Sequence, residues 1–395
     1  MMTEIPGFVR RILMALETGG FSACLVGGCL RDMLMKRPVH DWDVATSARA
    51  EQIAALFPKT VNTGIRFGTV TVLTDHGPVE VTTFRSDGDY RDNRHPESVR
   101  FVGDLYEDLK RRDFTMNAIA MTAGGVRTDP FDGQGDIEKG LIRCVGDPEA
   151  RFGEDALRLF RAVRFAAQLG FDIEAGTRAA IIKCAPLCAA LSAERVRDET
   201  EKTLMSDNPA LVGTAIVFGL YVSRLKAAKS VPENLEHVKK LPKNARMRWS
   251  AFCAVLCRDR LIDDAGDFLR AMRLDAKTIK AGGAGVKTAL TGHIGDAVAI
   301  KRVLSDIGED GALCAAAAEE VLYGTDAVSR VEEVLSSGAC WSYKDLAVSG
   351  DDLLRLGFDA DKRLGCILHK LLQHVIEHPG DNRKDILKKI AENER

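Results

Sequence analysis

Asp41 and Asp43 flank a single tryptophan in "VHDWDVAT". In an extended strand, residues two apart point the same way. The two carboxylates therefore project together, with Trp42 on the opposite face. Adjacent carboxylates repel each other, and a divalent cation relieves that repulsion while gaining oxygen ligands. Mg²⁺ held by one or two carboxylates plus substrate phosphates suits phosphoryl transfer. A bare acidic strand end fits the same three letters, so the pair must be read with its neighbours.

Upstream, Gly27 and Gly28 close the apolar run "FSACLVGG" where a strand turns into a helix. Backbone N–H groups at such a turn can face a phosphate with no Cβ in the way. Arg31, one helical turn on, can add charge-assisted hydrogen bonds to a triphosphate. No GxGxxG is present, which excludes a dinucleotide fingerprint here. Downstream, "EDALRLFRAVRF" reads as one helix. At roughly 100° per residue, Asp155, Arg158 and Arg161 then share an arc of about 120°. An aspartate accepts hydrogen bonds and an arginine donates a planar fork. Together they can meet the edge of a base as a partner base would. A salt-bridged helix surface is the plainer reading of the same spacing. Arg164 falls on the apolar side with Leu157 and Phe160, which is costly unless it is paired.

The elements that must position these groups divide into two textures. Residues 8 to 18 have the period of an amphipathic helix, "LRDMLM" looks helical, and "SARAEQIAALF" reads as a helix with Ser47 as its N-cap. "GTVTVLTD" and "PVEVTTFR" alternate apolar and polar residues around "HGP", as a hairpin does. Residues 85 to 100 are polar and without period, and read as a long loop. From about residue 149 helical periods dominate, punctuated by stretches such as "KLPKN" and "AGGAG". The expected organisation is an α+β head at 1–148, a helical neck at 149–205, a helical body at 206–270 and a helical tail at 271–395.

The composition is globular: 395 residues, 46% hydrophobic and 28% charged, with a formal net charge of −2. A nucleic-acid partner would have to be met by local basic patches. "HVKKLPKNARMRW" supplies one candidate, with Lys239, Lys240, Lys243, Arg246 and Arg248 beside Trp249. The ten cysteines include no CxxC pair. Those four apart, Cys184 with Cys188 and Cys253 with Cys257, read as buried small hydrophobes and not as metal ligands. Free thiols and the absence of a leader or membrane-span pattern point to the cytoplasm. His369, His374 and His378 read as helix-surface residues.

"LVGGCLRDMLMKRPVHDWDVAT" resembles the signature of the class II tRNA nucleotidyltransferases and bacterial poly(A) polymerases, within the polymerase-β-like nucleotidyltransferase superfamily. The likeness continues in order through "VEVTTFRSDGDYRDNRHPESVRF", "RRDFTMNAIAM", "DPFDGQGDIEKGLIRCVGDP", "EDALRLFRAVRF" and "SAERVRDE". It spans roughly the first 205 residues.

The resemblance implies a small mixed sheet with helices, followed by an all-α neck, body and tail. It implies that Asp41 and Asp43 bind two Mg²⁺ ions. A third carboxylate on a neighbouring strand completes such sites; Glu80 holds that place here, although a surface glutamate fits it equally. Gly28, Arg31, Arg112, Arg161 and Arg164 become nucleotide or triphosphate contacts. Asp113 becomes a ribose contact or a helix N-cap. Asp155 and Arg158 become the protein template that accepts C or A, and "SAERVRDE" a structural support for the neck. Arg85, Arg91 and Arg94 fall in a loop that tRNA-maturing members use when switching from C to A.

The implied activity is addition or repair of the tRNA 3′-terminal CCA from CTP and ATP, acting on the acceptor arm, with no membrane or protein partner. Poly(A) polymerase, an A-only enzyme and a catalytically inactive RNA-binding homologue share the same blocks.

Overall fold

Apolar alternation at Val70, Val72, Val79 and Val81 builds the centre of a sheet whose inner face is fully packed. The structure is a computed structural model and describes residues 5–64, 68–87, 99–292 and 294–394. It forms two compact units. One runs up to Arg195 and includes Phe218–Val222; the other holds Val196–Val217 and the chain from Ser223 on.

In the first unit the order is α1 (Gly7–Thr18), β1 (Ala23–Val26), α2 (Gly28–Leu34), β2 (Trp42–Thr46), α3 (Ala50–Leu56), β3 (Thr60–Gly64), β4 (Thr69–Thr74) and β5 (Gly77–Thr83). There follow β6 (Arg85–Asp87), β7 (Val99–Phe101), α4 (Leu105–Lys110), β8 (Ala120–Met121), β9 (Arg127–Thr128), α5 (Gly133–Lys139) and β10 (Leu141–Ile142). Then come α6 (Pro148–Glu154), α7 (Leu157–Leu169), β11 (Asp172–Ile173), α8 (Ala175–Cys184) and the start of α9 (Ala193–Leu204).

The seven-stranded sheet has the order β3-β4-β5-β2-β1-β8-β9. Its pairings are antiparallel except β2 with β5, which is parallel. This is the mixed sheet the sequence resemblance implied. One face, through Val44, Val79 and Val81, packs on α1 and α3 residues such as Leu13 and Ile53. The other face, through Ala45 and Cys24, packs on Phe84, Leu109 and Val145. Asp43 lies on this second face, by strand alternation.

Three details depart from expectation. Ser47 does not cap α3; its hydroxyl accepts from the Ser22 N–H, and Arg49 takes the cap position, its N–H donating to Gln52 Oε1 at 2.8 Å. Residues 85 to 100 are bounded by a ladder, β6 pairing antiparallel with β7; three residues per strand are too few to show alternation. Arg91 and Arg94 lie outside the described residues. The expected single helix at 154–169 is two: α6 ends at Glu154, Asp155 is extended (φ −143°, ψ 104°), and α7 starts at Leu157.

The second unit is helical: α10 (Val212–Val217), α11 (Ala245–Arg258), α12 (Ala265–Ala271), α13 (Ala276–Thr291), α14 (Ala297–Tyr323), α15 (Ala327–Ser336), α16 (Gly350–Arg355), α17 (Lys362–Glu377) and α18 (Lys384–Asn393). Helices on both sides of residue 270 belong to it. "AGGAG" proves to be the middle of α13. A Cβ on Gly285 would stand 2.7 Å from the Ala315 nitrogen, so glycine there serves close helix approach and not a turn. Arg248 and Trp249 are also not surface residues. Arg248 is 2% exposed and donates to the carbonyls of Leu204, Ser206, Leu241 and Pro242, while Trp249 donates to Glu201. The guanidinium thereby ties the end of α9 to the segment that leads into α11. A second small core, around Leu371, Leu372 and Leu387, unites α16, α17 and α18. No described helix is long and apolar enough to cross a membrane.

Candidate active site

A cavity of about 680 Å³ in the first unit collects nearly every residue singled out above. Eight arginines and four aspartates line it. Asp41 and Asp43 enter from the start of β2, and Gly27, Gly28 and Arg31 from the β1–α2 turn. Arg111, Arg112, Asp113 and Asn117 follow α4. Asp155, Arg158, Arg161, Arg164 and Phe165 come from the α6–α7 junction and α7, Arg195 from α9, and Arg85 from β6.

Gly27 shows why the turn needs glycine. Its φ is +75°, and an added Cβ would sit 3.1 Å from Arg112 Nη1 and 3.5 Å from Asp43 Oδ2. The turn thus brings a cation and a carboxylate against bare backbone.

Across the parallel pair, Asp43 stands in register with Glu80. Glu80 does not line the cavity, and among the described residues no three His, Cys, Asp or Glu side chains converge as a metal cage. Burial, with the charges of Glu80 and Asp41, pushes the Asp43 carboxyl up to about 6 against the pull of Arg112. A divalent cation would stabilise the ionised form that burial and the neighbouring carboxylates disfavour. Two carboxylates, with the other ligand positions left to substrate phosphates and water, match the usual manner of binding Mg²⁺.

The arginines are fixed by carboxylates, of which sequence reading missed Asp108. Asp108, 1% exposed, accepts from Arg111 Nε at 3.0 Å and Nη2 at 2.9 Å, and from Arg112 Nη2 at 3.0 Å. Burial would raise its pKa, but the charges of Arg112 and Arg111 outweigh this and hold it below the usual range. Arg31 donates to Asp32 and to Asn117 Oδ1, and the Asn117 amide donates to Asp113. Asp113 also accepts from the Phe114 N–H, and from Arg161 Nε at 2.8 Å and Nη2 at 2.5 Å. Its carboxylate accepts from Arg161 and Asn117 and caps no helix. Arg164, expected to need a partner, has the Gln168 side chain at 2.7 Å and the Phe165 ring.

Because the helix breaks, Asp155 does not share a helical arc with Arg158 and Arg161. Its Oδ1 accepts from the Leu157 N–H at 3.0 Å, and Arg195 Nη2 approaches both oxygens. Arg158 Nη1 donates to Glu154 and to the Arg151 carbonyl, and Nη2 to the Arg111 carbonyl. Both groups still line one cavity with Asp41 and Asp43. The cue for Arg195 lay in "SAERVRDE", and that for Asp108 in the acidic residue before "RRD". Phe165 had none.

Three family models match stretches of this chain. A model of the poly A polymerase head domain matches residues 23–143. One described as "Probable RNA and SrmB- binding site of polymerase A" matches 170–217, and one for tRNA nucleotidyltransferase domain 2 matches 242–391. The CCA-adding enzyme of Geobacillus sp. (strain WCH70) is 38% identical over 384 residues, covering 95% of this chain and 93% of its own. That of Geobacillus kaustophilus is 42% identical over 389 residues, with the same coverage. The chain belongs to the CCA-adding enzymes. The Bacillus stearothermophilus CCA-adding enzyme, solved in complex with CTP, shares the fold with a TM-score of 0.81 at 32% identity, over 98% of this chain and 97% of that one.

A CCA-adding enzyme is a tRNA nucleotidyltransferase that uses CTP and ATP, and that is the activity of this protein. The poly(A) and A-only alternatives give way to it, since the full-length relatives are CCA-adding enzymes.

Proposed function

We propose that CTP and ATP are joined to the tRNA 3′ end within this single cavity, with Asp41 and Asp43 holding Mg²⁺. When bound, two such ions lower the pKa of the RNA 3′-hydroxyl and neutralise the departing pyrophosphate. The chain's own part is to place the groups. Gly28, Arg31, Arg112, Arg161 and Arg164 meet the triphosphate, Asp113 orients Arg161 beside the ribose, and Glu80 adds charge behind Asp43.

Asp155 and Arg158 read the base. Cytosine and adenine each present an exocyclic amino donor, where uracil and guanine present a carbonyl. A carboxylate accepts from the first pair and repels the second. A guanidinium donates to the ring nitrogen beside the amino group. One fixed pair of side chains thus admits both C and A with no nucleic-acid template.

Arg85 and the segment that follows it are assigned to the switch from C to A. The helical unit is assigned to the tRNA acceptor arm. Lys239 and Lys240 are exposed there, while Lys243 and Arg246 pair with Asp207 and Asp310. All ten cysteines are free, which suits a reducing cytoplasm.

The observation that carries this reading is the convergence of Asp41, Asp43, Asp155 and Arg158 on one cavity with the arginines. The test supplies labelled CTP or ATP with tRNA lacking CCA, with tRNA ending in CC, and with oligo(A). Two cytidines and one adenosine are expected on the first, and one adenosine on the second. Long A tails would overturn the reading.

A further inference from the structure

Phe165 lies in the cavity wall, 5% exposed. Three guanidinium groups surround its ring. The central carbon of Arg164 is 3.9 Å from the ring centroid, and those of Arg31 and Arg161 are each 5.2 Å away. Phe114 packs edge-on, with centroids 5.8 Å apart at 84°.

Three like charges around one point repel each other, and taking arginine out of water is costly. Each arginine has a polar tether of its own: Arg31 on Asn117, Arg161 on Asp113, Arg164 on Gln168. The first two tethers are joined, since the Asn117 amide donates to Asp113, while Arg164 is held within α7. The ring lies within reach of all three, and its negative face attracts a cation within about 6 Å. A leucine would fill the space but offer no such attraction.

We propose that Phe165 is a positioning residue of the nucleotide site: its ring holds Arg31, Arg161 and Arg164 together as one anion-binding cluster for the triphosphate. This rests on the assignment of those arginines to the triphosphate. The consequence is blind to the base. Phe165 acts through groups that meet phosphates, so it shifts CTP and ATP by the same factor. The choice between nucleotides stays with Asp155 and Arg158.

Site-specific replacement of Phe165 by mono-, di- and trifluorophenylalanine tests this in the full-length enzyme. Fluorination drains the ring's negative face and barely changes its shape. The KM for CTP, the KM for ATP and the Ki of inorganic tripolyphosphate should rise in step with fluorine number, reaching about tenfold at three fluorines, with kcat changed less than about twofold. Phe165→Leu should raise all three constants at least as far. Constants that stay flat along the series, or that move for only one nucleotide, overturn the proposal. Arg164→Ala separates the two assignments. If it raises the constants while fluorination does not, the role of Phe165 fails alone. If Arg164→Ala also leaves them unchanged, the triphosphate assignment beneath it fails.

Discussion

Arg195 holds Asp155 across 40 residues of chain, its Nη2 lying 2.8 Å from one carboxylate oxygen and 3.1 Å from the other. The carboxylate assigned to reading the base is therefore oriented by α9 and by the first N–H of α7, not by a helix of its own.

Arg195→Ala removes that hold. A hydrogen bond to a charged group contributes about 1.5–3 kcal/mol, so selection of CTP and ATP over UTP should weaken by about tenfold. Competition assays with labelled nucleotides on tRNA lacking CCA measure the ratio.

Asp108→Asn should strike stability and nucleotide affinity together. The residue is nearly fully buried and ion-paired to both Arg111 and Arg112. Removing one side of a buried ion pair costs about 3 kcal/mol or more. The urea midpoint should fall, and the KM for CTP and for ATP should rise alike.

Asp113 gives the protein an acid limb. Burial opposes its ionisation, but the Arg161 charge and the hydrogen bonds from Asn117 and Arg161 outweigh it and hold the carboxyl well below the usual range. In the unfolded chain an aspartate titrates near ~3.9. Above that value the stabilisation is fully present. As pH falls, the unfolded chain takes up its proton first, and stability is lost progressively toward the native pKa. Thermal midpoints of the wild type should therefore decline below about pH 4, and Asp113→Asn, less stable at neutral pH, should decline more gently.

What could be read from the chain depended on the range of the interaction. Asp41 and Asp43 were legible because strand alternation is local. The head's strands and hairpin followed from the same period. Asp155 does not lie on the helical arc its spacing suggests, because the chain breaks after Glu154 and its carboxylate turns to the Leu157 N–H and to Arg195, a distant partner. "AGGAG" passed for a turn because a glycine that admits a neighbouring helix is written like one that bends the chain. Arg248 and Trp249 passed for surface because the carbonyls that Arg248 binds include those of Leu204 and Ser206, far back in the chain.

Gly27→Ala tests the turn itself. At a φ of +75°, alanine is strained, costing about 1 kcal/mol or more. Its methyl would also crowd Arg112. The variant should show a lower thermal midpoint and weaker binding of inorganic tripolyphosphate, with the preference for C and A over U and G intact.

Asp155→Asn tests the central claim most directly. The side chain keeps its shape, but an amide can turn its NH₂ toward a carbonyl acceptor. Incorporation on tRNA lacking CCA should then extend to UTP, with discrimination of CTP over UTP falling by about tenfold or more, since each good edge contact carries about 1–3 kcal/mol. An unchanged CTP-to-UTP ratio in a folded, active variant would contradict the assignment of Asp155 to the base edge.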